Sequence, residues 1–126
     1  MDLSHFDFSQ VVDIQHMFFG CSELRVLDMS NIDMTSITAF VYIFNGVSSL
    51  QYLNIRGINN IKEEIFDSLS KMDLYVCQDT ILVKGDNIKN DCCFFYEDSC
   101  NNYIIVYYGS NHTYTNGYKT GGEKKV

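Results

Sequence analysis

The sequence predicts an α/β fold: a short solenoid of about three strand-turn-helix repeats, closed by a small β-rich, cysteine-containing C-terminal cap. Three observations predict it. The chain matches itself when shifted by 26 residues, and each matching unit carries a short strand-like apolar pattern followed by a spaced apolar face. From Cys77 onward the character changes to short apolar runs broken by Gly and Asn, and four of the five cysteines lie there. The expected division is residues 1–76 as repeats, 77–118 as the β-rich module and 119–126 as a flexible tail.

At 126 residues and 46% hydrophobic content the chain has the makings of one folded domain with a small appendage. Its 16 acidic and 9 basic residues give a net charge of −7, which argues against nucleic acid and anionic lipid as partners, since both need clustered Lys and Arg. The charge excess lies on the repeats, where Asp2 to Asp73 include ten acidic and four basic residues. No apolar run approaches the ~20 residues of a membrane span. "MDLSHFDFSQ" has no basic start, apolar core or small-residue cleavage site, so it does not read as a signal peptide.

The repeat is legible pair by pair. Asp2 falls on Asp28, Asp7 on Asp33, Phe18 on Phe44, Gly20 on Gly46, Leu24 on Leu50 and Leu27 on Leu53. A shortened third unit is read in "SLSKMDL", 19 residues after "SLQYLNI". In "ELRVLDM" the apolar residues Leu24, Leu27 and Met29 follow L-x-x-L-x-L, a short strand turning into a core as in leucine-rich repeats. Ser9 and Thr35 offer hydroxyls where a helix would start. Beyond them Val11, Ile14, Met17, Phe18 and Cys21, and likewise Ile37, Phe40, Ile43, Phe44 and Val47, are spaced for one helical face. Gly20 and Gly46 sit where such helices would stop, and Ile61, Ile65, Phe66 and Leu69 predict a third helix. One unit cannot bury its own apolar face, so neighbours must stack. The first unit begins inside its strand and lacks a polar cap, which predicts further repeats before residue 1.

"DLSHFDFSQVVDIQHMFFGCSELRVL" and "LDMSNIDMTSITAFVYIFNGVSSLQYL" resemble the BspA-type leucine-rich repeats of bacterial and protist surface proteins. "HMFFGCSEL" keeps the Met-Phe-x-Gly-Cys-Ser-x-Leu close of that family, and "YIFNGVSSL" has lost its methionine and cysteine. The resemblance covers residues 1 to about 76. It implies a solenoid, a cell-surface or secreted setting, and adhesion or ligand binding without enzyme activity.

In the C-terminal part "NYIIVYYG" reads as a strand, "SNH" as a turn and "TYTNGY" as its partner strand. Clustered Cys77, Cys92, Cys93 and Cys100 are disulfide candidates with three possible pairings. Cys21, whose counterpart is Val47, reads as a buried free thiol. There is no C-x-x-C, and no metal or cofactor is expected. Asn111 in "NHT" is a glycosylation candidate.

Strand alternation places Asp28, Ser30, Tyr52, Asn54, Arg56, Asp73 and Tyr75 on a mixed polar and aromatic strip along the concave face. A protein or glycan ligand there is the binding expectation. Asp7, Asp33 and Asn59 form a second ladder, read as bonding turn backbone rather than calcium. No nucleophile and base are placed to work together: His5 and His16 align with Asn31 and Tyr42, and nothing orients His112 toward Cys92. The chain is therefore expected to be a non-catalytic binding or adhesion module of a longer surface or secreted protein. The alternative is a leaderless cytoplasmic protein-interaction scaffold.

Overall fold

The computed structural model describes residues 1–100 together with the strands at 105–108 and 111–114. Four short strands, β1 (Val26–Asp28), β2 (Tyr52–Asn54), β3 (Leu74–Cys77) and β4 (Ile88–Asn90), form one sheet in that order, all parallel. β5 (Ile105–Tyr108) and β6 (Asn111–Tyr114) form a separate antiparallel pair. Asn111 thus opens a strand where a turn was expected; its side chain, and the expected tail at 119–126, lie outside the described residues.

The register of β1 on β2 is the register of the sequence repeat: Val26, Leu27 and Asp28 pair with Tyr52, Leu53 and Asn54. Three further parallel bridges, Asp2 with Asp28, Asp13 with Ala39 and Asp33 with Asn59, stack one coil of chain on the next around the rest of the unit. The third step is 23 residues rather than 19, because Tyr75 and Val76 pair with Tyr52 and Leu53. Leu27, Leu53, Leu74 and Val76 are fully buried on the inner side of these strands. Opposite them Phe18, Phe44 and Phe66 stack in a column, with ring centroids 5.6 and 6.0 Å apart.

The structure corrects the expected class. There are not three strand-turn-helix repeats: neither Ser9–Gly20 nor Thr35–Gly46 contains a helix. Among the described residues, helix is confined to 3₁₀ turns at Glu63–Lys71 and Glu97–Cys100. Only the third expected helix exists, as the 3₁₀ helix that buries Ile65, Phe66 and Leu69, while Ile61, expected on the same face, lies before its start and is half-buried.

The reason is physical. The apolar residues recur every three positions as often as every four, and a chain of i→i+3 turns satisfies that spacing as well as a helix does. Such turns are present: the Val11 amide donates to the Phe8 carbonyl, Met17 to Ile14, Cys21 to Phe18 and Val47 to Phe44. The amides a helix would use internally instead reach across to the next coil. Ile14 donates to the Ala39 carbonyl at 2.8 Å, Phe18 to Ile43 at 3.0 Å and Gly20 to Asn45 at 3.0 Å. His16 and Tyr42, in the middle of the expected helices, have φ of +60° and +62°, which no right-handed helix accommodates. Ser9 and Thr35 are therefore not helix caps; their amides donate to the carboxylates of Asp7 and Asp33 in Asx turns.

Gly46 has φ +85°, and a Cβ there would lie 3.0 Å from the Gly20 backbone nitrogen. The bare Gly46 lets adjacent coils close at this corner, and Gly20 supplies a positive φ of +73°, so both act in the stacking of turns rather than in stopping helices.

Candidate functional site

The outward row of the sheet is Val26, Tyr52, Tyr75 and Lys89, one residue from each strand in direct register. Strands that are adjacent and parallel hold equivalent side chains at the spacing of stacked rings. Tyr52 lies on Tyr75 with centroids 5.4 Å apart and planes 14° apart. Phe94 lies on Tyr52 at 3.9 Å and 13°, and the Lys89 ammonium sits 5.1 Å from the centroid of the Tyr75 ring. Lys89 is also paired with the carboxylate of Asp73. Burial, and secondarily the neighbouring Tyr75, pushes the Tyr52 hydroxyl up to about 12.

Beside this column a cleft of about 560 Å³ is lined by Gln51, Tyr52, Asp73, Tyr75 and Lys89, with Ser48 and Ser49 at its edge. Its lining carries serine and tyrosine hydroxyls, the Gln51 amide and the mutually paired Asp73 carboxylate and Lys89 ammonium beside the aromatic rings. Such groups suit recognition of a polar ligand.

The remaining strip residues are placed differently. Ser30 and Asn54 are buried. Asn54 donates from Nδ2 to the Tyr96 hydroxyl at 3.0 Å and accepts the Arg56 amide on Oδ1 at 3.1 Å. Asp28 accepts the Ser30 amide at 2.9 Å, as Asp2 accepts that of Ser4. Arg56 pairs with Asp79 at 3.6 Å and lies over the Tyr96 ring at 4.8 Å. Of the seven strip residues, the cleft therefore brings together Tyr52, Asp73 and Tyr75.

Phe94 and Tyr96 were not anticipated at the site. They belong to a strap, residues 91–100, that the disulfides Cys77–Cys92 and Cys93–Cys100 fold back against the sheet. The Asp91 amide donates to the Val76 carbonyl, and the Phe95 and Tyr96 amides donate to that of Cys92. Phe95 and Cys93 are buried, so Phe94 and Tyr96 face the outward row. The signal in the sequence was the aromatic run in "CCFFYEDSC", whose direction depends on the pairing of its flanking cysteines. Cys92, bonded to Cys77, offers no thiolate to any base, and Cys21 is the free cysteine, partly buried.

The Asx ladder is a structural device. Asp33 accepts the Thr35 amide at 3.0 Å, the Thr35 hydroxyl at 2.5 Å and Asn59 Nδ2 at 3.2 Å. These bonds, led by the Thr35 hydroxyl, hold its carboxyl below the ordinary value of 3.8. A depressed folded value means that the stabilisation is complete above the unfolded value and is lost as pH falls through the folded one. Asp33→Ala is therefore expected to lower the urea midpoint at pH 7, with the gap to the parent closing as pH drops below 3.8. A gap that is constant from pH 7 to pH 2.5 would show that the carboxylate form is not what matters.

Among the described residues no helix is long and apolar enough to cross a membrane. No family model, no curated protein and no solved structure matches this chain.

Proposed function

We propose that this chain is a non-catalytic binding module whose ligand, a protein or a glycan, seats in the cleft beside the ring column of the outward sheet row. The observation that carries the reading is the column itself. Phe94 from the strap stacks on Tyr52, Tyr52 stacks on Tyr75, the Lys89 ammonium lies over the Tyr75 ring, and this column borders a polar cleft. Aromatic groups with polar tips dominate the energetics of recognition surfaces. The two disulfides support an oxidising, cell-surface or secreted setting. The likeness of residues 1 to 76 to BspA-type surface proteins supports adhesion as the role.

The test is a screen of the oxidised protein on a glycan array and on a panel of purified extracellular proteins, repeated with the Tyr75→Ala/Lys89→Gln variant. A saturable binder whose affinity falls at least tenfold in the variant, about 1.4 kcal/mol, supports the reading. A binder that the variant retains, or none in either screen, sinks it.

A further inference from the structure

A second surface lies around the coil from the cleft, meeting it only at Met72. Its centre is a pair of exposed aromatic residues at equivalent repeat positions. His16 and Tyr42 stack at 5.4 Å and 18°, and Phe19 packs edge-on against His16 at 5.6 Å. Phe19 is 60% exposed and Tyr42 63%. Both His16 and Tyr42 hold left-handed backbone, a conformation that glycine or asparagine adopts more readily. Other left-handed positions follow that preference, with Asn31, Gly57, Asn60, Gly20 and Gly46. The stacking of the two rings supports the join between their coils, yet Tyr42 remains 63% exposed at a backbone position that a small residue would hold more easily. An outlier of this kind points to function.

Tyr42 also lines a groove of about 450 Å³ between the turn at 40–47 and the 3₁₀ helix Glu63–Lys71, together with Val41, Phe44, Glu64, Asp67 and Met72. Its walls are mainly apolar and its rim is acidic. Glu64 and Asp67 form an ion pair with none of the described residues. The 3₁₀ helix carries Glu63, Glu64 and Asp67 against Lys62 and Lys71 at its ends, and the repeats as a whole ten acidic against four basic residues, so the net charge of this side favours a cation.

We propose that this groove docks a basic, apolar peptide segment of a partner protein, an Arg next to a Leu or Phe. The guanidinium lies on the Tyr42 ring and pairs with Glu64 and Asp67, as planar cations do with aromatic faces and carboxylates. The neighbouring apolar side chain packs on Val41 and Met72. A second copy of this chain is disfavoured as occupant because each copy carries a net charge of −7.

The probe is the fluorescein-labelled peptide Gly-Arg-Leu-Gly-Gly-Arg-Leu-Gly, titrated against the intact oxidised 126-residue protein by fluorescence anisotropy. Expected is saturable binding that weakens with salt and falls at least tenfold when both arginines of the probe are glutamine. Glu64→Gln with Asp67→Asn should cost at least tenfold, and the exposed control Glu23→Gln less than twofold. Tyr42→Asn should weaken binding at least fivefold while leaving the melting temperature equal or higher, which separates a docking role from a folding one. No saturable binding, or binding that the double variant keeps, overturns the proposal. So does sedimentation showing that the protein dimerises through these same residues. None of these readouts depends on the cleft at Tyr52 and Tyr75.

Discussion

Replacing Phe44 by alanine is expected to lower the unfolding free energy by about 3–5 kcal/mol. Phe44 is 5% exposed and sits in the middle of the column Phe18–Phe44–Phe66, so it touches the coil before and the coil after its own. Truncation removes the ring's burial and leaves a void bounded by two rings that cannot close on each other without moving their turns. Interiors packed at crystal-like density relax only partly around such a void. Equilibrium urea denaturation of the oxidised protein reads the effect. A loss below about 1 kcal/mol would mean that the coils are not held together by this column. Phe44→Leu, which keeps most of the volume, should recover more than half of the loss.

The second large effect is expected from breaking the strap. The Cys77–Cys92 bridge closes a loop of 15 residues, and opening a loop of that length costs about 3 kcal/mol through the entropy returned to the unfolded chain. Cys77→Ala/Cys92→Ala should lower the urea midpoint accordingly, and reduction of the parent with excess dithiothreitol, which also opens Cys93–Cys100, by at least as much. Either should also release Phe94 from Tyr52, which the near-ultraviolet circular dichroism of the stacked rings would report. Reduced and oxidised protein unfolding at one midpoint, with unchanged ring signals, would show that the strap is held by its packing alone.

The stacking register was legible because identity itself repeats. Leu27 over Leu53 and Asp2 over Asp28 follow from a shift of 26 residues, with no appeal to secondary structure. The helices were misread because residues 11–21 and 37–47 are apolar at spacings of three and four, where a 3.6-residue period and a run of i→i+3 turns select nearly the same positions. The decisive information lay in His16 and Tyr42, whose left-handed backbone is invisible in a sequence that places no glycine there. The third register was misread because "SLSKMDL" mimics "SLQYLNI", a match that would set Lys71 beside Tyr52, whereas the strand that pairs there is Leu74–Cys77 and brings Tyr75 to Tyr52. Strand alternation puts Tyr52 and Tyr75 on the same side of their strands, but the 19-residue register set Tyr75 against Arg56, so the stacking of the two rings was not legible. The rest depended on long-range contacts. Asn54 is covered by Tyr96 from 42 residues away, and only the cysteine pairing brings Tyr96 there.

The stacking of coils also sets how far the chain must search to fold. Each bridge of the stack joins residues one turn of the repeat apart, as Asp2 to Asp28 and Asp13 to Ala39, so adding a coil lengthens the protein without lengthening its loops. Order can spread from any coil to its neighbour, and no coil must wait for a distant one. The same arithmetic ranks the coils by exchange of their amides with solvent. Residues 1–20 are bonded to the following coil through Ile14 to Ala39 and Phe18 to Ile43, so in the 126-residue chain their amides are expected to exchange before those of the coil they are stacked on. The coils that carry β2 and β3, each paired on both sides, open later.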